Sequence, residues 1–423
     1  MTDLKLSNRR QPIVTYPSDM FKKHYTGKLV GYYVEDTNFY NVMPNDIAYD
    51  NNKCREIGII YSTSHDIPNW KDISSKVSWL NSKSNEAQIE SAIDKIRGAL
   101  NRNIEQKTFL STPTPSLIGF WQGDKLVFVS LFDFTECEQE QYSLKLDVFS
   151  RNTGILESDI MMSKKALFIG CGSVGSLAAL ELAKAGVGHF MLVDNDIFGY
   201  HNICRHQCGI YDVGRYKTEA LKDRILQINP YAEVIMRNTT IQEVPLDDLT
   251  CFCNPNTIVI GGADNRAGDL YANGIARQVG MPFMSIGCWE RAFAGEIFYC
   301  LPNGMPDYQD FMEVTGNMSG RVTQNRRFYT TESDLERVTF EPGISVDINF
   351  VTVIAVKLAL DLLNRDNVHY TQRLLPYLTQ YTLVCNTNNT AIGGDMAEIF
   401  SYPLQVTTSI KVPYSPNRNT EVI

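Results

Sequence analysis

The chain has 423 residues, of which 43% are hydrophobic and 21% charged, and its formal net charge is −9. This length allows two or three domains with separate cores, and the ordinary composition excludes a chain that is disordered throughout. No apolar run reaches the roughly 18 to 20 residues that cross a bilayer, and the opening residues lack the apolar centre of a secretory signal. We therefore expect a cytoplasmic protein with no membrane partner.

Charge and cysteine usage narrow the class of protein further. The net charge of −9 argues against nucleic acid as a partner, because phosphate binding requires clustered Lys and Arg. The ten cysteines follow no regular framework, and a chain of this size does not depend on disulfides. Reduced thiols are expected.

Residues 1–148 are predicted to form a separate α+β accessory domain. Strand-like runs occur at LVGYYV, EIGIIYST, SLIGFW and KLVFVSLFDF, and a helical pattern lies at 86–100. The segment contains no His-x-His pair and no Cys-x-x-Cys motif, so it does not suggest a metal centre. Its residues assign no activity, and recruitment of a partner is the role we consider for it.

Residues 149–423 show a different pattern, in which short apolar strands alternate with helices. The strand-like runs are KALFIG, HFMLVD, AEVIMRNT, TIVIGGAD and PFMSIGC, with helical patterns between them. This order implies parallel strands joined by right-handed crossovers. It predicts an α/β fold with a Rossmann-like, doubly wound, largely parallel sheet. A long apolar helix at 348–364 is predicted to lie in the core or at a dimer contact.

A glycine-rich turn follows the first strand of this region. Gly170, Gly172 and Gly175 form G-x-G-x-x-G between an apolar strand and a helix rich in Ala and Leu. In that context the backbone can approach phosphate, and the helix N-terminus attracts an anion. Asp194 closes the next strand, where a carboxylate can accept hydrogen bonds from ribose hydroxyls. The pattern predicts a nucleotide site, although close packing of helix on strand would explain the glycines alone.

Polar residues downstream indicate which chemistry the nucleotide undergoes. Hydride transfer breaks no phosphate bond, whereas attack of a carboxylate on the α-phosphate of ATP builds up negative charge that cations must stabilise. Asp264 ends a strand parallel to the one that Asp194 ends, so both are expected at one crevice. The candidate residues at that crevice are Asp196, Asn202, Arg205, Lys217 and Asp264.

Together these motifs resemble the ubiquitin-activating, ThiF-like adenylyltransferases, specifically a bacterial type with an extra N-terminal domain. The quoted patterns are D-x-D, N-x-x-R, G-x-x-K and a strand ending in A-D-N, and the similarity runs from about residue 151 to 363. The resemblance implies ATP-dependent adenylation of the C-terminal glycine of a ubiquitin-like protein. It assigns ribose binding to Asp194, phosphate contacts to Asn202, Arg205 and Lys217, and a magnesium ion to Asp264.

The resemblance also implies a homodimer and a domain layout. Arg151, in FSRNTGI, matches the family's arginine segment and would reach into the other subunit's site. The adenylation domain would include a crossover loop at about 303–343 and a C-terminal extension at about 366–423. Bacterial relatives of this type are similar to proteins of ubiquitin-like modification pathways, including antiphage ones, and a conjugating enzyme would be a further partner.

The chain departs from the family pattern at the zinc site. Many relatives hold a structural zinc on two Cys-x-x-Cys pairs, whereas this chain has no such pair and carries Asp307 and Asp310 at the matching place. Two carboxylates are poor zinc ligands compared with four thiolates. We therefore expect no structural zinc.

A second departure concerns the thioester cysteine, because the segment 303–343 contains no cysteine. Cys288, Cys300 and Cys385 lie outside it, and Cys204 and Cys208 flank Arg205, where neighbouring cations could lower a thiol pKa. Each is interpreted first as a buried structural thiol. The acyl group would pass either to an unconventional cysteine or directly to a partner.

Other functions fit part of the pattern. Adenylation of a tRNA base or of a peptide carboxylate would use the same chemistry on another substrate. An NAD-dependent oxidoreductase would use the glycine turn and Asp194 but leave Arg205, Lys217 and Asp264 without a role. A non-catalytic scaffold would need none of this polar set.

Overall fold

The computed structural model of the protein describes residues 11–21, 25–44, 47, 54–82, 117–132, 134–263, 266–302, 304–315 and 342–410. The chain forms two compact units, residues 1–147 and 148–423. The helical pattern predicted at 86–100 lies outside the described residues, as does most of the predicted crossover loop. In the described part of the chain, every helix is too short or too polar to cross a membrane.

The first unit contains a seven-stranded mixed sheet within its described residues. Its strands are β1 (Ile13–Pro17), β2 (Gly27–Val34), β3 (Phe39–Val42), β4 (Arg55–Tyr61), β5 (Leu117–Gln122), β6 (Lys125–Ser130) and β7 (Glu138–Tyr142), in the order β6-β5-β4-β2-β3-β1-β7. Helices α1 (Trp70–Asn81) and α2 (Leu144–Asp147) accompany it. Along β6, Leu126 and Phe128 belong to one apolar cluster and Val127 and Val129 to another. Both faces of the sheet are therefore covered here, which explains the continuous apolar run.

Two of these strands are shorter than their apolar runs. After β4, the Thr63 backbone N–H and hydroxyl both donate to the Asp66 carboxylate, which starts a 3-10 turn at Ser64–Asp66. After β6, the Ser130 N–H bonds to the Thr135 carbonyl, so the chain reverses. Side-chain capping and a turn thus end strands that hydrophobicity alone would extend.

The second unit contains an eight-stranded sheet. Its strands are β8 (Lys165–Ile169), β9 (His189–Val193), β10 (Glu233–Arg237), β11 (Thr257–Gly261), β12 (Phe283–Cys288), β13 (Ala294–Cys300), β14 (Tyr381–Cys385) and β15 (Val406–Ile410), in the order β10-β9-β8-β11-β12-β13-β14-β15. The first five are parallel and the last three antiparallel. This arrangement confirms the predicted Rossmann-like α/β fold. The predicted C-terminal extension supplies β14 and β15 to the same sheet.

Helices cover both faces of this sheet. They are α3 (Ser158–Met162), α4 (Ser173–Lys184), α5 (Lys217–Ile228), α6 (Leu246–Phe252), α7 (Arg266–Gln278), α8 (Tyr308–Thr315), α9 (Ser345–Leu363) and α10 (Thr390–Gly393). Phe168 packs in the cluster that includes α4 and α9, and its neighbours Leu167 and Ile169 pack in the cluster that includes α7 and α8. The apolar helix α9 is therefore a core helix.

The chain order of the parallel strands creates a crevice. From β8 the chain proceeds outward through β9 and β10, and then returns to the other side of β8 with β11 and β12. Ligands of such sheets bind beyond the carboxyl ends of the strands where the order reverses. The turn after β8 and the residues after β9, β10, β11 and β12 all reach this edge.

Candidate active site

The three glycines of the turn after β8 differ in what the backbone requires of them. Gly170 has φ of +94°, a conformation that residues with a Cβ avoid. A Cβ at Gly175 would lie 2.0 Å from the Gly170 carbonyl oxygen, so α4 can approach the turn only without a side chain there. A Cβ at Gly172 would meet nothing within 4 Å. Gly172 is thus not required by packing, and its open side can admit a ligand.

Asp194 is held against this turn. Its Oδ2 accepts a hydrogen bond of 2.6 Å from the Cys171 backbone N–H, and its Oδ1 accepts one of 2.8 Å from the Asp196 N–H. Burial raises the pKa of this carboxyl, although the two hydrogen bonds oppose the shift. The acid is therefore fixed beside the glycine turn.

The segment after Asp194 returns to the site at the start of α5. Ile197 pairs with Tyr216, and the Lys217 N–H bonds to the Asp196 carbonyl at 3.0 Å. The ammonium group of Lys217 lies 2.6 Å from Asp196 Oδ2, and the lysine is only 8% exposed. Asp196, predicted to contact the nucleotide, thus forms an ion pair with the predicted phosphate-binding lysine.

Two more side chains of this segment stabilise its path. The Asn202 Oδ1 accepts a hydrogen bond of 2.8 Å from the Gly199 N–H. Arg215 forms ion pairs with Asp212 at 3.0 Å and with Asp223 at 2.7 Å. Arg215 therefore secures the loop, a role that its position in the sequence did not indicate.

A cavity of about 700 Å³ lies over this edge of the sheet. A cavity of this size is typical of sites for small molecules and cofactors. The predicted site residues that line it are Gly170, Gly172, Asp194, Asp196, Asn202, Arg205 and Lys217. Gly175 is not among the described lining residues, because it faces the turn and serves packing.

Two predicted site residues remain apart from this group. Arg151 is exposed in the 3-10 turn Ser150–Asn152 and does not line the described cavity of its own chain. Asp264 lies outside the described residues, although the preceding Gly262 and Ala263 line the cavity. Within the described ranges, no group of three or more His, Cys, Asp or Glu side chains could hold a metal ion. The magnesium assignment to Asp264 therefore stays a prediction.

The cavity also has walls that the motifs did not predict. One is formed by Thr239, Thr240, Ile241 and Gln242 after β10, and another by Cys288 to Glu290 together with Ala292. The rule that ligands bind at the carboxyl ends of parallel strands could have found both, since β10 and β12 end there. Pro342, Gly343 and Ile348 add a third wall that no sequence signal indicated.

A buried polar network supports the wall after β12. The Trp289 Nε1–H donates to Glu296 Oε2 at 3.0 Å, and the Tyr381 hydroxyl donates to the same oxygen at 3.1 Å. Arg266 forms an ion pair of 3.2 Å with Glu296 Oε1, and Glu296 is only 1% exposed. The wall is thereby tied to β13, β14 and α7. Next to it, Arg291 has φ of +55°, which is uncommon for a residue with a side chain.

The cysteines differ in what their surroundings allow. All ten, each within the described residues, are free of disulfides. Burial raises the pKa of Cys208 to about 12, because desolvation outweighs the nearby cations, and this agrees with its interpretation as a buried structural thiol. Burial also raises the pKa of Cys300 and Cys385. Cys288, at the end of β12, lines the cavity.

Asp307 and Asp310, which the resemblance aligns with the zinc ligands of many relatives, bind groups of the protein itself. The Asp307 N–H donates to Asp310 Oδ2 at 2.8 Å, and the Asp310 N–H donates to Asp307 Oδ1 at 2.9 Å. Asp307 also forms an ion pair with Arg277 near the end of α7. These contacts cap α8 and connect it to α7.

The glycine turn, the fixed acid and the crevice define the class, a Rossmann-like nucleotide-binding protein. The model of the ThiF family matches residues 146–390, and the chain belongs to this family.

Several known proteins are similar to parts of the chain. A probable adenylyltransferase/sulfurtransferase MoeZ of Mycobacterium tuberculosis is 31% identical over 125 residues, which cover 29% of this chain and 31% of MoeZ. Ubiquitin-like modifier-activating enzyme 5 of Caenorhabditis elegans is 24% identical over 51% of this chain and 55% of the enzyme. The tRNA threonylcarbamoyladenosine dehydratase of Bacillus subtilis is 38% identical over 21% of this chain and 37% of the dehydratase. The chain thus spans between about a third and about half of these relatives.

The crystal structure of Escherichia coli MccB with ATP is also similar, at 16% identity and a TM-score of 0.46, over 82% of this chain and 88% of MccB.

Proposed function

We propose that the protein activates a carboxylate by ATP-dependent adenylation. The observation that carries this proposal is that Arg205 and Lys217 line the same cavity as the glycine turn and Asp194. In this reading the turn and the N-terminus of α4 receive phosphate, and Asp194 receives the ribose. The cavity volume of about 700 Å³ is compatible with a nucleotide and part of an acyl group.

The proposed reaction is a displacement at phosphorus. A carboxylate oxygen attacks the α-phosphorus of ATP, a new P–O bond forms, and the bond to the bridging oxygen of the leaving group breaks. Pyrophosphate departs with that electron pair, and an acyl-adenylate is left. Arg205 and Lys217 would stabilise the charge that develops on the phosphoryl oxygens, and Asn202 would add a hydrogen bond.

An NAD-dependent oxidoreductase is the main alternative from another class. It would use the glycine turn and Asp194 in the same way. It would leave a buried lysine and an arginine in the cavity without a reaction to catalyse. The presence of both cations in the cavity therefore favours adenylation.

Exchange of labelled pyrophosphate into ATP tests the proposal. In the presence of the correct carboxylate, we expect exchange by the wild type and a rate lower by about 100-fold for Arg205→Ala and for Lys217→Ala. Arg224→Ala is the matched control, because this arginine is exposed on α5 and does not line the described cavity. Exchange that survives both cavity substitutions would refute the site assignment.

We propose that the carboxylate is the C-terminal glycine of a ubiquitin-like protein. The support is the family membership and the partial similarity to ubiquitin-like modifier-activating enzyme 5. The similarity to a tRNA-modifying dehydratase favours a second candidate, a carboxylate on a tRNA base, and a peptide carboxylate is a third. The net charge of −9 weighs against tRNA. Exchange assays with each class of carboxylate would decide between them.

We propose that Asp264 holds a magnesium ion bound to the phosphates. A magnesium ion would neutralise phosphate charge and orient the triphosphate. The support is the position of Asp264 directly after two residues that line the cavity. Asp264→Asn should raise the magnesium concentration that half-saturates exchange, whereas an unchanged requirement would exclude this residue as a ligand.

We also propose a homodimer in which Arg151 serves the partner's site. The support is that Arg151 is exposed and is not among the described residues lining its own cavity. If Arg151→Ala and Arg205→Ala are both inactive, an equal mixture should regain about a quarter of wild-type exchange, because half of the dimers are mixed and each holds one complete site. A mixture as inactive as its components would contradict the proposal that Arg151 of one subunit serves the site of the other.

The fate of the acyl group and the pathway are further proposals. Transfer goes to a thiol of this chain or directly to an amine, thiol or conjugating enzyme, and the pathway is a bacterial ubiquitin-like modification system, of which antiphage systems are one kind. Of the three candidate cysteines, Cys288 lines the cavity, whereas Cys300 and Cys385 are buried in strands. Intact-mass measurement of wild type and Cys288→Ser after the reaction would reveal a thioester on Cys288 or favour direct transfer.

A further inference from the structure

His206 lies beside Arg205 and is buried against the glycine turn. It is 7% exposed, and the ring of Phe198 packs edge-on against it with centroids 4.9 Å apart. The ring Nε2 lies 2.7 Å from the Cys171 carbonyl oxygen, and the ring Nδ1 lies 3.0 Å from the Cys208 backbone nitrogen. A backbone N–H can only donate, so Nδ1 is the acceptor and Nε2 carries the proton that binds the Cys171 carbonyl. The histidine is therefore neutral, with one tautomer fixed.

Cys171 is consequently held on both of its sides. Its N–H donates to Asp194 and its carbonyl accepts from His206. The peptide between Cys171 and Gly172 is trans, so its C=O and N–H point in opposite directions. Because the carbonyl points toward His206, the N–H of Gly172 points away from it. Gly172 lines the cavity and has open space where a side chain would be.

We infer that His206 is a positioning residue for the phosphates of the bound nucleotide, because its hydrogen bond to Cys171 aims the Gly172 N–H into the cavity. The inference rests on the proposed function, since it assumes that the cavity receives ATP. His206 does not touch the nucleotide in this account. It acts through one peptide plane of the glycine turn.

A second contact links the same two segments. The Gln207 N–H donates to the hydroxyl oxygen of Ser176, in α4, at 3.4 Å. The residues directly after Arg205 are thereby attached both to the turn and to the first part of α4. The segment that carries the proposed phosphate-binding arginine thus keeps a fixed register with the backbone groups that would bind the same phosphates.

Two conservative substitutions separate this role from simple packing. In His206→Gln the side-chain amide can reach the Cys171 carbonyl as Nε2 does, whereas in His206→Asn the shorter amide can bind only near Cys208. We expect His206→Gln to bind ATP within about threefold of the wild type and His206→Asn to bind it about tenfold more weakly. Binding of adenosine should be unchanged in both, since the Gly172 N–H serves phosphate. Titration calorimetry gives the affinities, and thermal unfolding of each variant reports its stability.

The outcomes distinguish this inference from the proposed function. If the wild type binds no ATP, the proposed function fails and the inference falls with it. If the wild type binds ATP but the two variants lose equal affinity, or lose adenosine as well, the positioning role is overturned while adenylation stands. If His206→Asn does not fold, the amide proton resonance of Gly172 in the wild type decides. A downfield shift with ATP and none with adenosine supports the inference, and no shift with ATP overturns it.

Discussion

At the scale of single residues, the glycine turn shows how one motif combines different physical demands. Gly170 is required by its positive φ and Gly175 by the close approach of α4, whereas Gly172 is required by neither. The sequence predicts the motif, its flanking strand and helix, and the acid after the next strand. It does not predict which glycine faces the cavity, because that depends on how closely the helix packs on the turn.

This difference predicts opposite results for two substitutions. Gly172→Val should leave the melting temperature close to that of the wild type but weaken ATP binding by about tenfold or more, because the new side chain projects into open space at the cavity. Gly175→Ala should lower the melting temperature, because its Cβ would lie 2.0 Å from a backbone oxygen. Calorimetric ATP titration and thermal unfolding provide the two measurements. A Gly172→Val variant with unchanged ATP affinity would show that the nucleotide does not reach this turn.

His206 makes the free energy of unfolding depend on pH. Burial lowers its pKa from 6.5 to about 4 in the folded protein. Between pH 6.5 and pH 4 the unfolded chain takes up a proton that the folded chain does not. The stability that His206 contributes is therefore present above pH 6.5 and is lost as the pH falls toward 4. Relative to His206→Gln, the wild type should therefore lose about 2 kcal/mol between roughly pH 7 and pH 5. Urea denaturation of both proteins at the two pH values checks this, and parallel curves would contradict it.

The sequence indicates which polar side chains lie at the cavity better than it indicates which groups they bind. Motifs and the family resemblance predicted one crevice for Asp194, Asn202, Arg205 and Lys217, and all four line the cavity, whereas Asp264 lies outside the described residues. The ion pair between Asp196 and Lys217 could not be predicted, because it depends on the pairing of Ile197 with Tyr216, which no local pattern indicates. The hydrogen bond of His206 to the Cys171 carbonyl joins residues 35 positions apart in the chain, and no local pattern indicates it.

At the scale of elements, α8 shows how a buried carboxylate fixes the start of a helix and its contact with a neighbouring helix. Asp307 is 4% exposed and binds both the Asp310 N–H and the guanidinium of Arg277. Asp307→Ala should lower the free energy of unfolding by about 1–3 kcal/mol. The substitution removes the carboxylate that caps α8 and that forms the ion pair with Arg277. Asp366→Ala is the control, since Asp366 is 82% exposed in its 3.4 Å ion pair with Arg365. Chemical denaturation of the three proteins tests this, and equal stabilities would contradict it.

The apolar runs predicted β8, β9, β11 and β12 well because a strand buried on both faces needs no alternation, whereas the edge strand β10 is partly exposed. They were less accurate for β4 and β6, where Asp66 and a chain reversal end the strands early. The antiparallel strands β13 to β15 were not predicted as part of the sheet. β13 pairs with the preceding strand β12, but β14 pairs with β13 from a distant part of the chain, and local hydrophobicity does not specify such a partner.

At the scale of the whole molecule, the described lining residues of the cavity all belong to the unit of residues 148–423. A fragment of these residues should therefore bind ATP with an affinity within about threefold of that of the full chain. Calorimetric titration of a folded fragment, checked by circular dichroism, makes this measurement. A folded fragment that binds no ATP would show that residues 1–147 contribute to nucleotide binding.

In the proposed function, the cavity receives a nucleoside triphosphate rather than a nicotinamide cofactor. The most direct measurement is calorimetric titration of the full chain with ATP and magnesium, and separately with NADH. We expect saturable heat with ATP that is lost or strongly weakened in Arg205→Ala, and no tight binding of NADH. Tight binding of NADH together with no heat from ATP would contradict it.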